Sequence, residues 1–167
     1  MKRTLMGFLA VAGLAAVTAA VALAAKPAAK NFVASLKGAN ENPATTSKGA
    51  GEAVLTYRNG ALSFRLSASN TKNVTAAHIH CGAKGVNGPI VAVLWSGTAM
   101  NPHGLFAKGK VTVAPVGAST ECPGGVADLN ALLAKMRTGN AYVNVHTTAN
   151  PGGELRGQIK PGGPKPS

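Results

Sequence analysis

Acidic side chains are scarce in this chain. Five carboxylates, Glu41, Glu52, Glu121, Asp128 and Glu154, stand against 17 lysines and arginines in 167 residues. Only Glu121 and Asp128 lie within ten residues of each other, so the paired carboxylates of a glycoside hydrolase find little support. Missing too are a P-loop, a dinucleotide fingerprint, a nucleophile elbow and an HExxH helix. Cysteine occurs twice, as Cys81 and Cys122. An even pair in an exported chain is expected to form one disulfide closing a loop of about 40 residues. The alternative is that Cys81 serves as a thiolate metal ligand beside His80.

Export is read from the N-terminus. Lys2 and Arg3 precede an apolar run from Leu5 to Leu23 and the small-x-small triplet Ala22-Leu23-Ala24. This is the pattern of a secretory signal peptide cleaved after Ala24. The run approaches the roughly 20 residues that span a bilayer, but its many alanines and its cleavage triplet favour removal, so no stable membrane span is expected afterwards. No cysteine near the cleavage point offers a lipid anchor. The expected location is therefore periplasmic or extracellular. The division that follows is a signal peptide at 1–24, a spacer at 25–30, one domain at 31–160 and a disordered tail at 161–167. Without Lys2 and Arg3 the chain keeps 15 basic and 5 acidic groups, a net charge of +10. Such a balance suits anionic surfaces, whether outer-leaflet lipids, acidic polysaccharide or extracellular nucleic acid, and the expected partner is an unidentified protein or an anionic polysaccharide. The charges are scattered, however, and no specific nucleic-acid surface is read from them; they also suit a plain solubilising surface.

About eight short runs, alternating or β-branched, are separated by Gly, Asn and Pro: NFVASLK, GEAVLTYR, ALSFRLSA, TAAHIH, PIVAVLW, LFAKGKVTV, AYVNVHT and GELRGQIK. In ALSFRLSA, Leu62, Phe64 and Leu66 share one face and Ser63, Arg65 and Ser67 the other. Arg58-Asn59-Gly60 carries the Asn-Gly signature of a tight hairpin. These features predict an all-β antiparallel sandwich or barrel. One helix interrupts them, with Val126, Leu129, Leu132, Leu133 and Met136 at helical spacing and a left-handed stop at Gly139 or Asn140. It is expected to cover one end of the sandwich.

The stretch TAAHIHCGAKGVNGP raises the question of chemistry. In a strand, His78 and His80 point to one face and Ile79 to the other. The same parity in AYVNVHT puts Val143 and Val145 inward and Tyr142, Asn144 and His146 outward. An outward His-x-His with a third histidine from another strand is a chelating set for copper or zinc, with a fourth position open. The competing reading has the rings hydrogen-bonding a covering loop, either AKGVNGP or the NPGG turn. A shared site requires the His146 ring to lie within about 8 Å of one of the other two. His103, in NPHG, is the weakest candidate. Elsewhere Asn40, Asn42 and Asn150 precede turns, Gly152 and Gly153 permit a left-handed bend, and Glu154 and Arg156 share a face, where each is expected to make structural pairs.

LKGANENP (Leu36 to Pro43), AHIHCG (Ala77 to Gly82), NGPIVAVL (Asn87 to Leu94), YVNVHT (Tyr142 to Thr147) and NPGGELRGQI (Asn150 to Ile159) together resemble the chordin-type domain, CHRD, over Asn31 to Lys160. The resemblance implies an exported, bacterial-type single-domain member with an immunoglobulin-like, Greek-key β-sandwich or barrel. It also implies a distant likeness to copper/zinc superoxide dismutases, and no settled activity. In chordin such domains belong to a secreted antagonist of bone morphogenetic proteins, a role that does not transfer with the fold. AAHIHCG is similar to the dismutase His-x-His copper strand, so His78 and His80 would match its ligands. No match is found for the histidine and aspartate cluster that holds the zinc. The leading expectation is thus a non-catalytic binding or structural module, more in keeping with the sequence than an enzyme. The alternative is a copper-binding, dismutase-like redox protein using His78, His80 and His146.

Overall fold

The computed structural model describes residues 30–162. The expected signal peptide lies outside the described residues, as do the spacer except Lys30 and the tail beyond Gly162. Nine strands are present: β1 (Asn31–Lys37), β2 (Ala50–Arg58), β3 (Ala61–Ser69), β4 (Val74–Cys81), β5 (Ile90–Met100), β6 (Gly104–Lys110), β7 (Ala141–Thr147), β8 (Leu155–Gln158) and β9 (Lys160–Pro161). All pair antiparallel in the order β5-β4-β7-β8-β1-β2-β3-β6, with β9 added against β1. The chain crosses from one end of this order to the other between β3 and β4 and again between β5 and β6, which rolls the sheet into a nearly closed barrel.

Two runs behave differently from their sequence pattern. LFAKGKVTV stops being a strand at Lys110 because the next residues bridge the open seam: Val111 N–H donates to Leu62 O, and Ala114 N–H to Val91 O, each at 2.8 Å. GELRGQIK is two strands rather than one. Ile159 N–H bonds Ala141 O, so the chain stays on β7 until there and then moves to β1, where Lys160 faces Val33. That split accounts for the ninth strand.

The alternation elsewhere is obeyed. Leu62, Phe64 and Leu66 are buried while Ser63 and Arg65 are exposed. Asn59 and Gly60 take φ of 51° and 78°, the paired positive values that match a two-residue hairpin to strand twist. Phe32, Leu36, Leu55, Ile79, Val143 and Leu155 line the barrel interior with no measurable exposure. Each such side chain contributes roughly 1.5–3 kcal/mol by leaving water. Helix α1 (Leu129–Arg137) starts at Asp128, whose carboxylate accepts from Ala131 N–H at 2.8 Å, and is followed by Gly139 at φ 72°. It buries Leu132, Leu133 and Met136 against the region of β7 and β9. Cys81, the last residue of β4, is disulfide-bonded to Cys122 in the segment before the helix, with a Cα–Cα distance of 5.4 Å. Among the described residues no helix is long and apolar enough to cross a membrane.

Candidate metal site

The site grows out of strand parity and register. On β4 and β7, Ala77, Ile79, Val143 and Val145 point into the core and are fully buried. Their neighbours His78, His80, Tyr142, Asn144 and His146 therefore take the other face. The register pairs His78 with Asn144, His80 with Tyr142 and Ala76 with His146, so β7 interleaves its polar residues with the two histidines of β4. β8 adds Arg156 opposite Asn144.

This outer face is not wet. Asn144 is 2% exposed, Arg156 1% and His80 8%. Three loops close over it: 38–49 after β1, 82–89 after β4 and 148–154 after β7. Asn42 Nδ2 donates to Gly85 O, and Asn87 Nδ2 returns a bond to Asn42 O, each at 2.6 Å, which locks the first loop to the second. Arg156 secures the second loop from beneath, donating to Asn87 Oδ1, Ala83 O and Val86 O. Thr45 Oγ1 and Asn40 Nδ2 hold the first loop to Glu154 O and Arg156 O. The expected outward orientation is thus right in parity, and the outward face is covered by loop backbone.

Both loops named by the competing reading grip a ring. His80 Nδ1 donates to Gly88 O and His146 Nδ1 to Pro151 O, each at 2.8 Å. A carbonyl only accepts, so each bond puts the proton on Nδ1 and the lone pair on Nε2, which in His146 faces His78 Nδ1. Gly88 has to be glycine for this contact, since a Cβ there would lie 1.7 Å from Cys81 O. Loop bracing and ligation are therefore compatible, because the carbonyls orient the rings whose other nitrogens remain available.

Those nitrogens converge. Ring centroids are 4.8 Å apart for His78 and His146, 5.8 Å for His78 and His80, and 6.4 Å for His80 and His146, all inside the expected 8 Å. His78 Nδ1 sits 2.9 Å from His146 Nε2, which is also 2.9 Å from Asn144 Oδ1. His80 Nε2 is buried with no hydrogen-bond partner. One nitrogen from each ring falls within 4.8 Å of the others, and among the described residues this is the one such grouping of histidine, cysteine or acid side chains. His103 is exposed in the turn between β5 and β6 and takes no part. Cys81, held in the disulfide, is not a thiolate ligand.

Burial also keeps the rings neutral. The His78 pKa is pushed down to about 4, first by burial and then by the neighbouring His146 and His80. Burial lowers His80 and His146 as well, against the opposing pull of the Gly88 carbonyl and the Asn144 side chain on His80 and of the Pro151 carbonyl on His146. Each ring is thus neutral at ordinary pH, with a proton on one nitrogen and a lone pair on the other.

Of two further neighbours, Arg156 was expected only to make structural pairs and Glu41 was not singled out by sequence reasoning. Arg156 stacks its guanidinium carbon 3.4 Å over the Tyr142 ring, which itself stacks on His80 at 4.7 Å and 7°. Glu41, in the first loop, has a buried Oε1 without a partner, and burial raises its pKa to about 7 against the pull of Arg156 and the Asn42 N–H. Gly153, at φ 135°, makes room for it, because a Cβ would lie 2.4 Å from Glu41 Oε1. Loop residues carry no periodicity, so only the scarcity of acids could have drawn attention to Glu41.

No curated protein and no solved structure matches this chain. A family model, the CHRD domain, matches residues 32–159, from the second residue of β1 to the last residue before β9. The match takes in every strand of the barrel proper, the helix and all three histidines of the site, and on that evidence the chain belongs to the CHRD domain family.

Proposed function

We propose that the chain is an exported binding module and that one ligand is a copper or zinc ion held by His78, His80 and His146. The observation that carries the reading is the orphaned His80 Nε2, buried beside two other imidazole nitrogens within 4.8 Å. A buried polar atom without a partner costs about 1–3 kcal/mol, so its retention at the meeting point of three rings calls for a ligand. The donor set fits: neutral imidazoles suit copper and zinc, and two of the three are oriented by backbone carbonyls in the manner of metal-bound histidines. The disulfide agrees with an oxidising compartment outside the cytoplasm. The proposal stops at binding, since no second histidine and carboxylate cluster adjoins the trio among the described residues.

Calorimetric titration of the purified, metal-stripped protein with Cu(II) and Zn(II) tests it. One ion per chain is expected, with affinity falling by about a hundredfold or more in His80→Gln. Binding that is absent, or that ignores the loss of His80, would sink the reading.

A further inference from the structure

The charge around the trio says which ion it suits. Every donor is a neutral nitrogen: Nδ1 of His78 and Nε2 of His80 and His146. No carboxylate belongs to the group, and the sulfur of Cys81 is in a disulfide. An ion bound here keeps its full charge. A permanent cation stands one ring away, because the buried Arg156 guanidinium covers the face of Tyr142 opposite His80. Its hydrogen bonds go to Asn87 Oδ1, Ala83 O and Val86 O, which are all neutral oxygens, and the one acid that faces it, Glu41, is pushed up to about 7 by burial and so offsets its charge only in part at neutral pH.

Ion solvation scales with the square of the charge, so a dication gives up about four times the hydration energy of a monocation of equal size on entering a half-buried site. Its repulsion by Arg156 is twice as large. Coordination number points the same way. Zinc(II) takes four ligands and would draw its fourth from solvent, whereas closed-shell copper(I) is satisfied by three nitrogen donors. We infer that His78, His80 and His146 form a copper(I) site that holds the monovalent ion in preference to zinc(II) and copper(II). This inference rests on the metal-binding reading above.

The test compares affinities on the same disulfide-intact protein, with the absence of free thiols confirmed by mass spectrometry so that no cysteine contributes. Copper(I) affinity is read by competition with bicinchoninate under anaerobic ascorbate, and zinc(II) affinity by competition with a colorimetric chelator. Copper(I) is expected to bind at least about a hundredfold tighter than zinc(II), and the bound copper couple to be more positive than that of copper in the same buffer. In His78→Asp the carboxylate oxygen stands the same number of bonds from Cα as the Nδ1 it replaces. The copper(I)-to-zinc(II) ratio should narrow there by about tenfold or more. Should that variant fail to fold, the wild-type affinity ratio and redox potential decide alone. Zinc(II) bound through the histidines as tightly as copper(I) would overturn this inference and leave the metal-binding reading standing. Failure of every ion to bind would overturn both.

Discussion

Two sides of one barrel follow the same sequence rule and end in different environments. On β2, β3 and β6 the outward residues Glu52, Ser63, Arg65, Lys108 and Lys110 are exposed, with Ser63 beside Lys110 and Arg65 beside Lys108. On β4, β7 and β8 the outward residues are as polar, yet Asn144, Arg156 and His80 are buried. The difference lies in the connections. β2 and β3 are joined by the two-residue turn Asn59-Gly60, which leaves no chain to fold back. Around β4, β7 and β8 the loops 38–49, 82–89 and 148–154 lie across the face and bond it. A polar side chain facing water is nearly neutral for stability, whereas one under a loop must be satisfied internally. Where that satisfaction is left incomplete, at His80 Nε2, a site becomes possible.

The largest effect expected on the covered side comes from its covalent tie. Replacing Cys81 and Cys122 by serine opens a loop of sequence separation 41 and should lower stability by about 4 kcal/mol in the chain-entropy model. Urea unfolding of the double variant measures it; a change below about 1 kcal/mol would contradict the expectation.

Arg156→Ala comes next. It strands the oxygens of Ala83, Val86 and Asn87 under the second loop and should cost about 3 kcal/mol. Arg65→Ala on the bare side should stay within about 0.5 kcal/mol. Equal losses by chemical denaturation would erase the distinction between the two sides.

Glu154→Gln sharpens the comparison through pH. Burial raises the Glu154 pKa, but hydrogen bonds from Ser47, Thr147 and Asn150 outweigh it and hold the carboxyl below its ordinary 4.5. A depressed folded pKa means the unfolded chain binds the proton first as pH falls. The stabilisation is thus present above about pH 4.5 and is lost as pH drops through the folded value. The variant should lie about 2 kcal/mol below wild type at pH 7, and denaturation curves should converge as pH falls below 4.5. A gap independent of pH would show that the ionised carboxyl is not what matters. The smallest effect belongs to Glu52→Gln on the bare side, expected within about 0.5 kcal/mol at either pH.

Part of the site could be read in advance. The parity of His78, His80 and His146 follows from Ile79, Val143 and Val145 being apolar, and the two loops that grip the rings were named from their glycines and prolines. The ninth strand was not readable, because Ile159 continues the pattern of β8 and stays bonded to Ala141, and the move to β1 comes only at Lys160, opposite Val33. Nor was Glu41, whose place beside Gly153 joins two loops with no shared pattern.

Alternation along each strand determined which residues share a face and the histidine parity, Asn59-Gly60 the two-residue hairpin, and the spacing of Leu129, Leu132, Leu133 and Met136 the helix, whereas Val126 lies before it in a bridge to Val116. These are local consequences of a pleat that repeats every two residues and a helix that turns every 3.6. The pairing of Cys81 with Cys122 followed from an even count. Only the tertiary structure decided that β4 lies beside β7, that the outer face of this pair is closed by backbone, and that His80 Nε2 is left without a partner. Those outcomes depend on loops meeting strands far away in sequence, as when Asn40 bonds Arg156 O across a separation of 116, and no local period carries that information.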